Sequence, residues 1–250
     1  MIGVRGMARF VLLHGAFVGG WVWARVAPLL RAAGHEVWTP TLTGSGERFH
    51  LLTRDVSLAT HVEDVVSVLE HEDLHDVVLV GHSYGGTVAT VVADRARGRV
   101  ARLVYLDGSA PEDGQSSTGA FTGGTGERLS EMSEQGDGWL LPPLPLDAFG
   151  VTDPADVAWM EPRRHPHPVR TLHEPVRLSL GPTERAPRAY VACARHEPLV
   201  ALFGVDPLST FVDKARAEGW PITTIDAGHD AMVTAPGLVA GALGAHIHGG

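Results

Sequence analysis

The chain has 250 residues, a formal net charge of −9 and 44% hydrophobic residues. That length suits one α/β domain with an ample core, and the acidic balance speaks against nucleic acid or an anionic membrane as partner. A single cysteine, Cys193, excludes an intramolecular disulfide, no apolar run is long enough to span a bilayer, and the N-terminus (MIGVRGMARF) is too weakly apolar for a signal peptide, so a cytoplasmic protein is expected.

Arg9 to Leu13 reads as a strand that runs into His14-Gly15-Ala16-Phe17-Val18-Gly19-Gly20. A glycine-rich loop after a first strand can bring backbone N–H groups close to a substrate. Ala16, with Phe17 as second choice, is the expected oxyanion donor there, and His14 is expected to support the loop. Ser57 to Glu70 reads as a helix, with Val62, Val65, Val66 and Leu69 on one face and capping-box spacing at Thr60 and Glu63.

The apolar run Val77 to Val80 leads into Gly81-His82-Ser83-Tyr84-Gly85, and a helix is expected from Gly86 to Ala96. This is a G-x-S-x-G nucleophile elbow in strand–turn–helix context. The tight turn forces a strained backbone on the serine, and small residues on either side let the chain pass. Ser83 is the expected nucleophile, and the Tyr84 amide the second oxyanion donor. His82 is expected to pack beneath the elbow.

Val100 to Leu106 is the next strand, ending at Asp107. Alternation of strands and helices up to this point predicts a mostly parallel central sheet with helices on both faces. The pattern then breaks. From Pro111 to Pro187 the chain holds 11 of its 17 prolines, with Gly-rich pieces and spaced apolar residues (Phe121, Met132, Trp139, Phe149, Trp159 and Met160). An inserted cap over about 109–187, with those apolar side chains facing substrate, is expected within a single domain of 1–250. His165 and His167, in this stretch, read as a solvated loop, since H-x-H without further ligands nearby is weak metal-binding evidence.

The α/β pattern resumes with a strand from Arg188 to Ala194, followed by Arg195-His196-Glu197. Ile222 to Ile225 is the last strand, and His229 lies on the loop after it, where a triad base belongs. Three carboxylates qualify as its partner: Asp107, favoured; Glu197, the alternative; and Asp206, whose place beside Pro207 suits a helix cap better.

Taken together, these residues resemble the α/β-hydrolases of the plant hydroxynitrile lyase/methylesterase type and their bacterial esterase relatives. The matching pieces are His14-Gly15-Ala16 with Gly20-Trp21-Val22-Trp23, the stretch Thr41 to Arg48, the elbow Gly81 to Gly86, Val104 to Asp107, and Gly228 to Met232. The resemblance implies the α/β-hydrolase fold, an ester or lactone substrate, no cofactor, and frequent dimers; no metal site is expected. Relatives usually carry an Asp after the penultimate strand, where this chain has His196 followed by Glu197; haloalkane dehalogenases place the acid at the earlier strand end, as Asp107 would be. Lyases of the group use a Lys beside the catalytic His and a Thr in the oxyanion loop. Here Asp230 follows His229, Gly15 stands at the Thr position, and the only lysine is Lys214, so lyase activity on hydroxynitriles is not expected. The functional expectation is a serine esterase or lactonase acting through an acyl-enzyme on a small, largely apolar substrate. The alternatives are a non-hydrolytic tailoring enzyme (a cyclase or lyase in secondary metabolism, acting on a polyketide-like metabolite) and a ligand receptor, against which the intact Ser83 and His229 argue.

Overall fold

The computed structural model describes residues 6–134, 138–181 and 184–247. The β-branched and aliphatic runs of the sequence form strands that line up in one sheet. β1 (Arg9–Leu13) leads through α1 (Ala27–Ala32) to β2 (Glu36–Trp38), and α2 (Leu58–His71) precedes β3 (Val77–His82). The elbow opens α3 (Gly85–Arg95), which returns the chain to β4 (Val100–Leu106). Next come α4 (Thr125–Glu134), β5 (Leu140–Leu141), α5 (Pro154–Met160), β6 (His167–Pro168) and α6 (Val169–His173). The chain ends with β7 (Arg188–Cys193), α7 (Glu197–Phe203), α8 (Ser209–Ala217), β8 (Ile222–Ile225), α9 (Ala231–Thr234) and α10 (Pro236–Ala245). None of these helices is long and apolar enough to cross a membrane.

The main sheet has the order β2-β1-β3-β4-β7-β8, and every pairing in it is parallel. The chain starts at β1, steps outward to β2 and then returns across β1 to β3. The strand order therefore reverses between β1 and β3, and in open parallel sheets the crevice at such a reversal is where ligands bind. Leu13 pairs with Gly81 at the carboxyl ends of these two strands, which sets the loop at 14–19 beside the elbow.

Period-two alternation divides the strand residues between two cores. Val11, Leu13, Val77, Leu79, Leu103 and Tyr105 pack with Val62, Val65, Leu69, Val88 and Val92 of α2 and α3. Phe10, Leu12, Val78, Val80, Val104 and Leu106 pack with Trp23, Leu30, Val239 and Leu243 on the opposite face. β3 is buried along its whole length, and each such Val or Leu contributes about 1.5–3 kcal/mol relative to exposure. The strand that carries the elbow is thus anchored on both faces.

Two local expectations differ from what is found. The capping box of α2 is Ser57 with Thr60, not Thr60 with Glu63. Ser57 keeps an extended backbone (φ −132°), and its hydroxyl accepts from the Thr60 amide, so Thr60 already lies inside the first turn. In the 109–187 segment, Trp139 sits under the Arg54 guanidinium and Trp159 packs edge-on to Trp21 between Arg25 and Arg163. Both indoles are thus engaged by cation–π partners. Met160 is buried in the second core, and Met132 packs against the first.

Candidate active site

The elbow places Ser83 in the left-handed region, at φ 53°, where a non-glycine residue is strained. Gly81 is what lets the chain fold back this tightly: a Cβ there would stand 2.5 Å from the Gly85 carbonyl oxygen and 2.6 Å from the Gly86 Cα. The turn is braced from β4. The Ser83 amide donates to the Leu106 carbonyl at 3.4 Å, and the Ser83 carbonyl accepts from the Ser109 amide at 3.0 Å. Of the five elbow residues only Ser83 is partly exposed, and it faces a cavity.

The loop after β1 is held by His14. Its Nδ1–H donates to the Gly15 carbonyl at 2.8 Å, and its Nε2 accepts from the Leu42 amide at 3.1 Å. Burial lowers this imidazole to about 4, so it works as a neutral strut between the loop and the chain that follows β2. Phe17, at φ 69°, turns the loop, and its carbonyl accepts from the His165 amide. Among the described residues the amides of Ala16 and Tyr84 donate to no protein acceptor, and both residues line the cavity beside Ser83. Tyr84 is fixed by a residue that the sequence reading passed over. The Tyr84 hydroxyl donates to His61 Nδ1 at 2.9 Å, while His61 Nε2–H donates to the Thr43 carbonyl at 2.9 Å. The signal for His61 is its place on the apolar stripe of α2, between Leu58 and Val62.

His229 follows β8 and Asp107 follows β4, with β7 between them in the sheet. The His229 Nδ1–H donates to Asp107 Oδ2 at 2.8 Å. The Asp107 backbone is also strained, at φ 47°, and its side chain is fully buried. Its Oδ1 accepts from the Cys193 amide at 3.1 Å, and its Oδ2 accepts a second bond, from His196 Nε2 at 2.9 Å. Burial alone would push this carboxyl up, but the bonds from His196 and His229 outweigh it and hold it well below the usual carboxylate range.

The other two acid candidates lie elsewhere. Glu197 is exposed in the first turn of α7 and, among the described residues, has no hydrogen bond or ion pair with His229. Asp206 accepts from His196 Nδ1 at 3.1 Å and from the Leu208 amide at 2.9 Å, just ahead of α8. His82 lies beneath the elbow. Its ring centroid is 4.6 Å from that of His229, its Nε2–H donates to the His229 carbonyl at 3.1 Å, and burial keeps it far below its ordinary value.

The cavity over Ser83 holds about 580 Å³, its open mouth included. Ser83, Ala16, Tyr84 and His229 form its floor, and aliphatic and aromatic side chains such as Phe121, Leu129, Leu172 and Phe203 form its walls. Of the apolar residues expected to face substrate, Phe121 and Phe149 do so; Trp139 and Trp159 do not. His167 is buried rather than solvated: its Nε2 pairs with the Thr171 hydroxyl at 2.9 Å, and its ring meets that of Tyr84 at 4.8 Å. It packs into the base of the 109–187 segment, and among the described residues no group of three or more His, Cys, Asp or Glu is arranged to hold a metal.

The arrangement has known counterparts. Residues 10–242 match the profile of the alpha/beta hydrolase family. The chain is 37% identical over 249 residues to a carbendazim hydrolyzing esterase of Nocardioides sp., an alignment covering 96% of this chain and 99% of that protein. It is 28% identical to a pheophorbidase of Raphanus sativus, over 92% of this chain and 90% of that one. Among solved structures, a pyrethroid hydrolase of Sphingobium faniae superposes with a TM-score of 0.75 at 21% identity, covering 97% of this chain and 98% of the other.

Proposed function

Starting from the finding that the chain belongs to the alpha/beta hydrolase family and is an ester-cleaving hydrolase, we propose that it works through Ser83 as nucleophile, His229 as base and Asp107 as the acid that orients it. The observation that carries this reading is the 2.8 Å bond to buried Asp107 from His229, which shares the floor of the cavity with Ser83. With Nδ1–H committed to Asp107, the other ring nitrogen, Nε2, is left as the proton acceptor. Ser83 attacks the ester carbonyl and passes its proton to His229, and His229 returns that proton to the departing alcohol. Water then repeats the sequence on the acyl-enzyme and releases the acid.

The negative charge that develops on the carbonyl oxygen falls to the amides of Ala16 and Tyr84. One donor of this kind is worth about 3–4 kcal/mol in the transition state. The helix α3, which begins just after Ser83, adds its positive end. The segment over 109–187 acts as a cap, and its apolar walls favour an ester of a small, largely apolar acid or alcohol. The relatives named above are esterases and hydrolases, which supports hydrolysis over a cyclase or lyase reaction. The carbendazim hydrolyzing relative makes carbendazim a first compound to assay.

Incubation with a fluorophosphonate followed by intact-protein and peptide mass spectrometry tests the mechanism. One adduct on Ser83 is expected, together with loss of labelling and of ester turnover in Ser83→Ala. Wild-type turnover by that variant would refute an acyl-enzyme on Ser83.

A further inference from the structure

Asp107 Oδ2 accepts from two imidazoles, His229 at 2.8 Å and His196 at 2.9 Å. The second is not explained by the reaction. His196 ends the turn between β7 and α7, at the position where the family resemblance would put the acid itself. Its two ring nitrogens face two different carboxylates, Asp107 through Nε2 and Asp206 through Nδ1 at 3.1 Å. Carboxylates accept and do not donate when ionised, so both nitrogens must carry protons, and the ring is a cation. Its surroundings agree: burial works against the charge, but the bonds to Asp107 and Asp206 bring this imidazole up to about 9.

We propose that His196 is a positioning residue of the acid–base pair, a fixed imidazolium clamped between Asp107 and Asp206 that keeps Asp107 aimed at His229 and offsets the hold of that carboxylate on a proton of His229. The proposal rests on the reading of Ser83, His229 and Asp107 as a proton relay. A base bonded to an isolated buried carboxylate stays protonated to higher pH and is out of action there. A cation on the same carboxylate oxygen weakens that hold, so the base is free at lower pH.

Of the other described groups around His229, only Arg164 is a fixed cation, and its hydrogen bonds go to Glu161 and the Leu144 carbonyl, not to Asp107. His82, from β3, is kept neutral by burial. Burial raises the Cys193 thiol at the end of β7. Asp230, next in the chain, has its carboxyl raised by burial; Arg164 lines a small pocket with Asp230 and His229 and partly offsets that rise. Phe149, stacked obliquely on His229 at 5.3 Å, is uncharged.

His196→Gln tests this, because glutamine can still donate to Asp107 but carries no charge. The readout is the acid limb of kcat/KM against pH, which reports protonation of the free enzyme's base. In His196→Gln the limb should move up by about one pH unit, so that below it the variant loses roughly tenfold more of its plateau rate than wild type. A purely structural role would lower the plateau or the melting temperature and leave the limb in place, and that outcome overturns the proposal. Should the variant fold only in part, the pH dependence of the fluorophosphonate labelling rate reads the folded fraction alone and must show the same displacement. Ser83→Ala and Asp107→Asn serve as references. If both keep wild-type rates, the relay itself is wrong; if both are inactive and the limb of His196→Gln has not moved, only the role of His196 is wrong.

Discussion

Gly15 lies directly against Ser83: a Cβ built on Gly15 would stand 2.8 Å from the Ser83 Cβ and 3.1 Å from His82 Nδ1. Neither neighbour can yield, since Ser83 is fixed in its turn and His82 is buried and bonded to the His229 carbonyl. Gly15→Ala should therefore displace Ser83 or the loop after β1 by a sizeable fraction of an ångström. Misplacement on that scale costs about a hundredfold in rate. The expected result is a kcat/KM lower by roughly that factor, with the circular dichroism spectrum unchanged. Full activity would mean the loop and the elbow are not the rigid pair described here.

A second prediction separates the carboxylates. Asp107→Asn removes the group that fixes the tautomer of His229, and losses of up to about 10⁴ in kcat follow from such a change. Glu197→Gln alters an exposed side chain and should stay close to wild type. Steady-state kinetics of the two purified variants decide the matter, and the reverse ranking would move the acid to the β7–α7 turn.

The acid is also where local sequence said least. β1, β3, β4 and β7 are legible because a strand buried on both faces is a nearly continuous apolar run, β8, a half-exposed edge strand, because all four of its residues are β-branched, and Ser83 because the elbow is a local motif. The partner of His229 is not local. Asp107 and His229 are joined across β7, through the register Leu106 to Val191 and Cys193 to Ile225, which no spacing along the chain encodes. His196 escaped for the same reason, its two carboxylates lying on different turns. The 109–187 segment hid its inward face because it lacks sustained periodicity, and apolar character alone did not distinguish Phe121, on the cavity, from Trp159, under Arg25.

The cavity walls lead to a third prediction. Each methylene moved from water to an apolar wall gains about 0.8 kcal/mol, or roughly fourfold in kcat/KM when the gain is kept in the transition state. A series of p-nitrophenyl esters from acetyl to octanoyl should rise by a factor of that order per methylene until the space beside Leu129 and Leu172 is filled, then level off or fall. A flat or falling series from acetyl onward would show that the substrate's acyl chain does not occupy this cavity.

The buried histidines set the pH dependence of stability. Burial lowers His14 to about 4 from 6.5, and His61, His82 and His167 are lowered as well. Below 6.5 the unfolded chain takes up protons at these sites that the folded protein refuses, so stability falls as pH drops from 6.5 through 4. His196 is raised, from 6.5 to about 9, and its contribution is complete below 6.5 and lost as pH rises through 9. Melting temperature against pH should peak near 6.5, and His196→Gln should flatten the alkaline side alone. An alkaline slope equal to wild type in that variant would assign the loss to other groups.

The 109–187 segment leaves the sheet from β4 and re-enters it on β7, and those two strands are direct neighbours, with Leu103 paired to Arg188. Its two ends are thus held at a fixed separation on neighbouring parallel strands, one at the carboxyl edge of the sheet beside Val191 and the other at the amino end of β7, whatever lies between them. Closing a loop twice as long adds only about 0.6 kcal/mol of chain entropy, so the sheet is almost indifferent to the length or content of this excursion. The residues proposed for bond cleavage sit on the strand ends, while several of the walls that would sort substrates belong to the excursion. Descent with change can therefore exchange one part without disturbing the other, and a graft at these two strand ends is where a laboratory could do the same.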